Sequence, residues 1–161
     1  MSDQAKSTLE SALKECEIHC QRIQRSRELL SSCFPLEVSK FEKLSEEMVE
    51  HLDQFIYRFI KMQDSMGNRL FPSLYRLIEA DSTPRPFLDL INRLEKLGAI
   101  KNVAEWQFFR NLRNNLAHDY PESSEQTVDT LNILMSKIDQ FLSIFFGARD
   151  YYREFQKTSD L

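Results

Sequence analysis

The stretch of sequence that decides the fold is FEKLSEEMVEHLDQFIYRFIKMQDSM, residues 41–66. Its large apolar side chains recur at alternating steps of three and four residues: Phe41, Leu44, Met48, Leu52, Phe55, Phe59, Met62 and Met66. This spacing keeps them on one face of an α-helix. A pattern so regular predicts one long helix that packs against partners along its whole length and ends at Gly67, a residue type that often follows a helix.

Helical patterns flank this stretch on both sides. Residues 4–32 carry one apolar stripe that includes Cys16 and Cys20, and residues 128–145 carry another. Between them the sequence predicts a short helix near residues 70–78 and a helix that Thr83 caps, with Pro84 at its first position and Gly98 after its end. Asn102, followed three residues later by Glu105, predicts the start of one more helix by a capping box.

The composition supports an all-α protein. Three glycines and five prolines in 161 residues leave few turn positions, and no stretch alternates apolar and polar residues as a strand does. We therefore predict an all-α, up-and-down bundle of four main helices plus a short helix, folded as a single domain over residues 1–161. Residues 1–33 are expected to form an N-terminal helix of this domain, and residues 148–161 are expected to form a frayed tail.

Several classes of protein are disfavoured by the sequence. No apolar run approaches the roughly 20 residues that a membrane span needs, and the polar N-terminus lacks the apolar stretch of a signal peptide. We therefore expect a cytoplasmic protein without a membrane partner. The cysteines, Cys16, Cys20 and Cys33, are expected to be free thiols. Because no fourth ligand accompanies Cys16, His19 and Cys20, we expect no metal site; His19 and His51 are interpreted as surface residues.

Charge is unevenly distributed along the chain. The net charge is −4, which argues against a general nucleic-acid binder. Residues 54–120, however, hold ten Lys and Arg against seven Asp and Glu, whereas the rest of the chain holds eleven against eighteen. The middle of the chain is therefore its relatively basic part.

The candidate chemistry lies in the run RNNLAHDY, residues 113–120. A histidine such as His118 can take a proton from a 2′-hydroxyl or give one to a leaving oxygen. An arginine such as Arg113 can bind phosphate oxygens and stabilise charge in a transition state. Five residues along a regular helix turn through about 500°, so these two side chains would point about 140° apart. The site would then need a fraying helix end before Pro121, or a second copy of the chain.

A structural interpretation of the same residues stays open. His118 could cap the carbonyl groups at the end of its helix, and Arg113 could pair with a carboxylate such as Asp119. The residue types alone do not decide between this interpretation and a catalytic site.

The run also resembles a known signature. Arg113-Asn-Asn-Leu-Ala-His118-Asp-Tyr120 is similar to the Arg-x4-His-x-Tyr signature of the HEPN superfamily, and in particular to the group of HepT-like toxins. Other stretches have a similar look: residues 53–59, 63–64, 70–72 and 87–98, with Trp106 and Arg110. In architecture the resemblance covers residues 40–145, and the N-terminal helix lies outside it.

The resemblance implies a fold, an activity and partners. HEPN proteins are helical bundles that usually pair as two-fold dimers, with both signatures lining one cleft. On this basis Arg113 and His118 would be the catalytic pair of an endoribonuclease toxin that uses no metal and no cofactor and cleaves RNA, such as tRNA or mRNA. Asn114 and Arg110 would support the pair and bind substrate. The partner would be a nucleotidyltransferase antitoxin, which attaches AMP to the tyrosine of the signature, here Tyr120.

Two alternatives stay open beside the enzyme, which we favour. The chain could be a non-catalytic helical partner, or substrate-binding subunit, of a nucleotidyltransferase, in which Arg113 and His118 contact phosphate or a partner carboxylate. It could also be a purely structural bundle in which the signature is a coincidence.

Overall fold

The computed structural model describes residues 2–118 and 124–160, and within them the regular structure is helical throughout. The all-α class predicted from the sequence is confirmed. The helices are α1 (Ser2–Leu30), α2 (Val38–Phe41), α3 (Glu46–Ser65), α4 (Phe71–Glu79), α5 (Phe87–Leu97), α6 (Val103–His118) and α7 (Ser124–Ser159). A 3₁₀ turn, Ser31–Cys33, extends α1, and a π-helical turn, Met66–Leu70, joins α3 to α4. None of the described helices combines the length and hydropathy of a membrane span.

The helices pack into one bundle. α1 lies along α3, the π turn and α4, and α3 also contacts α6. α6 packs on α7, which contacts α1 and α2 in turn, while the shorter α5 braces α4 and α6. Since the π turn runs directly from α3 into α4, these elements form one rod beside α1, α6 and α7. The predicted helical bundle is therefore confirmed.

Aromatic rings hold the centre of the bundle. Phe141 of α7 stands edge-on to Phe59 of α3 with 4.8 Å between ring centroids, and its ring lies 5.3 Å from that of Phe109 of α6. All three side chains are completely buried. Burial of this kind removes large apolar areas from water and is the main favourable term in folding. The apolar pattern of residues 41–66 thus finds its partners inside the same chain.

The bounds of the long helix differ from the prediction at both ends. α3 begins only at Glu46, because the Ser45 hydroxyl caps it by accepting the Met48 N–H at 3.2 Å. Two glutamates in the first turn, where a negative charge favours a helix start, strengthen that beginning. Gly67 does not end the helix: it lies inside the π turn, and the rod continues to Glu79, after which Ala80 is left-handed with φ 50°. The predicted stop at Gly67 is wrong.

The start of α5 is also later than predicted. Thr83 does not cap a helix at Pro84; α5 begins at Phe87, after Pro86. The Asp81 carboxylate accepts the Thr83 backbone N–H at 2.9 Å and the Arg85 Nε–H at 2.8 Å, which holds the segment as a turn. In addition, Pro86 disfavours the helical conformation for the residue before it. The other predicted boundary is confirmed, since Gly98 ends α5 with φ 86°.

The expected frayed tail is instead part of the bundle. α7 continues without a break to Ser159, and both Ala148 and Tyr152 are buried. The Tyr152 hydroxyl donates to the Glu10 carboxylate at 3.1 Å. Burial and this hydrogen bond raise the pKa of Tyr152 to about 12. The prediction of fraying over residues 148–161 is therefore wrong up to Ser159, because α1 supplies the polar partner that sequence spacing cannot reveal.

His19 was predicted on the surface, and this too is wrong. It is buried on α1, where its Nε2 lies 3.3 Å from the Glu15 carboxylate and its Nδ1 lies 3.1 Å from an Arg58 nitrogen of α3. Cys16 and Cys20 are buried on the same stripe, as expected for cysteines that act as small apolar residues. Desolvation raises the pKa of Cys16 to about 12, so this thiol stays protonated.

Candidate functional site

α6 presents the residues singled out in the sequence. Its start is fixed by two carbonyl-type acceptors: the Asn102 side chain accepts the Glu105 N–H at 3.1 Å, and the Glu95 carboxylate accepts the Val103 N–H at 2.6 Å. This confirms the predicted Asn102 cap. Four side chains at helical spacing are buried and anchor the helix: Trp106, Phe109, Leu112 and Leu116. The side chains between them are left for the surface.

One flank of α6 borders an open pocket of about 320 Å³. The end of α3, the π turn, the start of α5 and α6 each contribute to its walls. The lining residues are Gln63, Asp64, Gly67, Asn68, Phe87, Trp106, Arg110, Arg113 and Asn114. The structure therefore brings three of the predicted site residues, Arg110, Arg113 and Asn114, to one pocket.

Arg113 is fixed in this pocket by Asp64. Its Nε–H and Nη2–H donate to the two oxygens of the Asp64 carboxylate, each at 2.9 Å. This two-point pair is the geometry in which a guanidinium binds a carboxylate most strongly. It raises the pKa of Arg113 above its ordinary value, so the guanidinium stays charged. A guanidinium has five N–H donors, and three of them stand outside this pair.

The predicted carboxylate partner of Arg113 was Asp119, which lies outside the described residues; the described partner is Asp64 on a different helix. Sequence analysis did not select Asp64, although it belongs to a stretch that resembles HEPN proteins. A usable signal was present: Asp64 lies between Met62 and Met66 of the apolar pattern, near the end of α3. A charge so close to a buried stripe often has a specific partner.

Arg110 lies one turn before Asn114 on α6. Its guanidinium stands over the Phe87 ring of α5, 5.7 Å from the ring centroid. Within the described ranges, Arg110 forms no ion pair with a carboxylate. Among the described residues, the contact that places this charge is therefore an aromatic face and not an acid.

The π turn shapes the floor of the pocket. A π turn inserts extra backbone into a helix and is frequent at functional sites. Here it brings Gly67 against Trp106: a Cβ added at Gly67 would stand 3.2 Å from the indole Cζ2 atom. Trp106 in turn stands edge-on to Phe71 with 4.8 Å between ring centroids. The absence of a side chain at Gly67 is therefore what allows α6 to approach the rod so closely.

Trp106 also carries an unusual polar group at this wall. Its indole N–H is buried, and among the described residues it has no hydrogen-bond partner. A buried donor without a partner costs about 1–3 kcal/mol. The packing of this indole against Gly67 and Phe71 therefore leaves one polar group without a described partner.

The histidine and the tyrosine of the signature are not among the described side chains. The backbone of α6 is described through His118, four residues after Asn114, but the His118 side chain lies outside the described part of the structure. Tyr120, the predicted AMP acceptor, and Pro121, the predicted helix terminator, lie outside the described residues. Among the side chains that the structure describes, residues 3–117 and 124–160, no three of His, Cys, Asp or Glu gather as a metal site would require.

Compared with protein-family models, with curated proteins and with solved structures, the chain matches none of them.

Proposed function

We propose that the chain is a metal-independent endoribonuclease of the HEPN type, which cleaves RNA with Arg113 and His118 and is paired with a nucleotidyltransferase antitoxin. The observation that carries the proposal is the Arg-x4-His-x-Tyr run in the sequence, whose arginine lies on α6 and is held at the rim of an open polar pocket by a two-point pair with Asp64. The resemblance supplies the activity, and the geometry of Arg113 is what supports it.

The arginine has the properties that phosphate binding needs. Asp64 fixes the plane of the guanidinium, so little side-chain freedom is lost when a phosphate binds. The three N–H donors outside the pair can bind phosphate oxygens, and Arg110 adds a second positive charge to the same pocket. Charge that develops on the phosphate oxygens in the transition state would then be stabilised without reorganisation of the protein.

The proposed reaction uses the RNA itself as nucleophile. His118 of one copy of the chain takes the proton from a ribose 2′-hydroxyl, and that oxygen forms a bond to the adjacent phosphorus. The bond from phosphorus to the 5′-oxygen of the next nucleotide breaks, and that oxygen receives a proton. The products are a 2′,3′-cyclic phosphate and a free 5′-hydroxyl, so atoms and charges balance.

We propose a homodimer as the working form. α6 is helical through residue 118, and in a regular helix positions 113 and 118 lie about 140° apart around the axis. Two facing copies would bring the arginine of one near the histidine of the other, and would supply two histidines, one as base and one as acid. The AMP carried by Tyr120 would add bulk and negative charge beside the cleft, which opposes RNA binding.

The test is cleavage of total RNA or purified tRNA by the purified chain in the presence of EDTA. We expect cleavage by the wild type and a loss of about 10²–10⁴-fold in the His118→Ala variant, the usual range for a general acid or base. Arg113→Ala should lose activity as well. Arg22→Ala, which removes an exposed positive charge from α1, is the matched control and should cleave normally.

The outcome that contradicts the proposal is equally specific. If folded wild-type protein without AMP on Tyr120 leaves the RNA intact, or if His118→Ala cleaves as fast as wild type, the catalytic assignment fails.

A second candidate is the non-catalytic partner of a nucleotidyltransferase. It is favoured by the Arg113–Asp64 pair, since that guanidinium already has a carboxylate partner, and by the net charge of −4. Expression of this chain alone discriminates the two candidates: growth arrest that requires His118 supports the ribonuclease, and normal growth supports the partner protein.

A further inference from the structure

A second cavity continues the pocket beside Arg113. It has a volume of about 270 Å³ and lies between α4, the loop before α5 and α5 itself. Three residues line both cavities: Gly67, Asn68 and Phe87. Because the two cavities are neighbours that share these walls, we treat them as two halves of one groove, which we call the arginine groove; Arg110 and Arg113 lie in its first half, and Arg76 and Arg85 lie in its second half.

The two halves repeat one arrangement of charge. Each contains one arginine that a carboxylate holds in place: Asp64 holds Arg113 at 2.9 Å, and Asp81 holds Arg85 at 2.8 Å. Each also contains a second arginine, Arg110 or Arg76, that pairs with no carboxylate in the described part of the chain.

The groove carries more positive than negative charge. Four arginines line it, whereas two carboxylates oppose them: Asp64, which also lines the groove, and Asp81, which pairs with Arg85. The chain as a whole has a net charge of −4. A concentration of positive charge in a concave surface favours an anionic ligand, and repetition in both halves indicates an anion with more than one charged group.

Aromatic surface accompanies these charges. Phe87 stands where the two halves meet, with the Arg110 guanidinium over its ring. Tyr75 lines the second half, where its hydroxyl donates to Asp81 at 3.3 Å. Bases of single-stranded nucleic acids stack on aromatic rings and on the planes of arginine side chains, while arginines bind the backbone.

From this arrangement we infer a second phosphate subsite at Arg76 and Arg85, which binds the phosphodiester next to the one at Arg113, so that single-stranded RNA of two or more nucleotides is the ligand of the groove. The inference rests on the proposed ribonuclease function for the identity of the first subsite. The two halves, of about 320 and 270 Å³, together fall within the range of about 300–1,000 Å³ that is usual for ligand pockets.

The test is calorimetric titration of the full chain with 2′-O-methyl RNA, which lacks the attacking hydroxyl and cannot be cleaved by the proposed route. The probes are a mononucleotide, a dinucleotide and a hexanucleotide, each with a 5′-phosphate, so that the dinucleotide carries two phosphate groups and the mononucleotide one. Wild type should bind the dinucleotide at least about tenfold more tightly than the mononucleotide, a difference of about 1.4 kcal/mol. Arg76→Ala should lose this gain and keep its affinity for the mononucleotide.

Two further variants make the result specific. Arg22→Ala removes an exposed arginine of α1 that forms no ion pair with a described residue, and it should behave as wild type. Arg76→Lys keeps the charge and should recover most of the gain. The salt dependence of hexanucleotide binding should also weaken in Arg76→Ala, by about 0.7 in the logarithmic slope for one lost phosphate contact on a single strand.

Equal affinity of wild type for the mononucleotide and the dinucleotide overturns the second subsite, as does equal behaviour of Arg76→Ala and Arg22→Ala. The outcome of the RNA cleavage assay is independent of the outcome of the binding titration. Length-dependent binding without cleavage keeps the subsite and rejects the ribonuclease, whereas cleavage with no effect of Arg76→Ala on binding keeps the ribonuclease and rejects the subsite.

Discussion

The rod formed by α3, the π turn and α4 has two polar sides, one toward α1 and one toward α6, and they are built differently. Toward α1, Arg69 pairs with Glu15 and also donates to the Ser11 hydroxyl at 3.0 Å. His19 lies between Glu15 and Arg58 on the same side. Toward α6, Asp64 pairs with Arg113, but the pair borders an open pocket that also contains Arg110.

The difference shows how the same residue types serve two purposes. On the α1 side, the charged groups meet one another across a closely packed helix pair, so their effect is on stability. On the α6 side, only part of the hydrogen-bonding capacity of Arg113 is used by Asp64, and the rest borders a cavity. Polar groups that face a cavity with donors to spare are the ones that a ligand can use.

The largest expected effect comes from a substitution in the aromatic core of the bundle, on which both polar sides of the rod depend. Phe141 of α7 packs against Phe59 of the rod and against Phe109 of α6. Phe141→Ala leaves a cavity at this centre and should lower the free energy of unfolding by about 3–5 kcal/mol. Denaturation in urea measures the change, with Phe108→Ala as control, since Phe108 is 37% exposed. A loss no larger than that of the control would contradict a shared core.

The next largest effect is expected on the α6 side of the rod, at the pair of Arg113 with Asp64. Arg113→Lys keeps the charge but loses the two-point geometry with Asp64, so the cation is no longer held in one plane. We expect RNA cleavage to fall about 100-fold with a small change in melting temperature.

Arg93→Lys is the matched control for this variant. Arg93 pairs through its Nε with Glu79 at 2.8 Å, on the exposed surface and outside the groove. Its substitution should leave cleavage unchanged. Equal loss of activity in the two variants would show that the geometry at Arg113 has no special role.

A pH-dependent effect belongs to the α1 side. Burial, and next the charge of Arg58, lower the pKa of His19, while the hydrogen bond to Glu15 opposes this change. Because an Arg58 N–H faces Nδ1, this nitrogen accepts a hydrogen bond in the neutral ring and would have to give it up on protonation. The folded state therefore resists protonation more than the unfolded state, where histidine titrates near pH 6.5.

It follows that the free energy of unfolding should fall as the pH drops below about 6.5, by at most about 1.4 kcal/mol per pH unit for one proton. His19→Gln should reduce this slope. Urea denaturation of both proteins between about pH 5 and 7.5 tests it; because all other titrating groups are common to both, the difference in slope belongs to His19. Parallel curves would mean that His19 does not couple folding to pH.

The smallest expected effect is that of Glu15→Gln. It weakens the pair with Arg69, in which both side chains are about two-fifths exposed, so solvent screening limits the loss to about 0.5 kcal/mol. RNA cleavage should not change, because the pair lies on the α1 side. Glu28→Gln, on an exposed part of the same helix, serves as control. A clear loss of cleavage in Glu15→Gln alone would show that the two sides are coupled through the π turn.

Much of the bundle could be predicted from local pattern. The apolar periodicity identified the helices and the buried face of α3, and the local cues at Asn102 and Gly98 placed two helix boundaries correctly. Local cues failed where a competing contact was stronger. Pro84 and Thr83 resemble a helix start, yet the Asp81 side chain and Pro86 keep that segment as a turn.

The candidate site likewise contains residues that the local sequence could identify and residues that it could not. Arg113, Arg110 and Asn114 could be selected because they lie within or beside one sequence signature. Asn68 and the second half of the groove could not, since they come from elements that are distant in sequence and have no signature of their own, and the apolar pattern around Asp64 indicated a partner for it without identifying Arg113. The π turn that brings them together depends on the close approach of Gly67 and Trp106, which no spacing along the chain expresses.

The sequence by itself determined that this chain is helical, which faces of its helices are apolar, and which run of residues could carry acid–base and phosphate chemistry. Those properties are periodic or local, so neighbouring residues specify them. Only the tertiary structure decided that Asp64 holds Arg113, that His19 is buried between Glu15 and Arg58, and that four arginines line one groove. The physical reason is that a hydrogen bond between two helices depends on how those helices pack, and packing is a property of the whole chain.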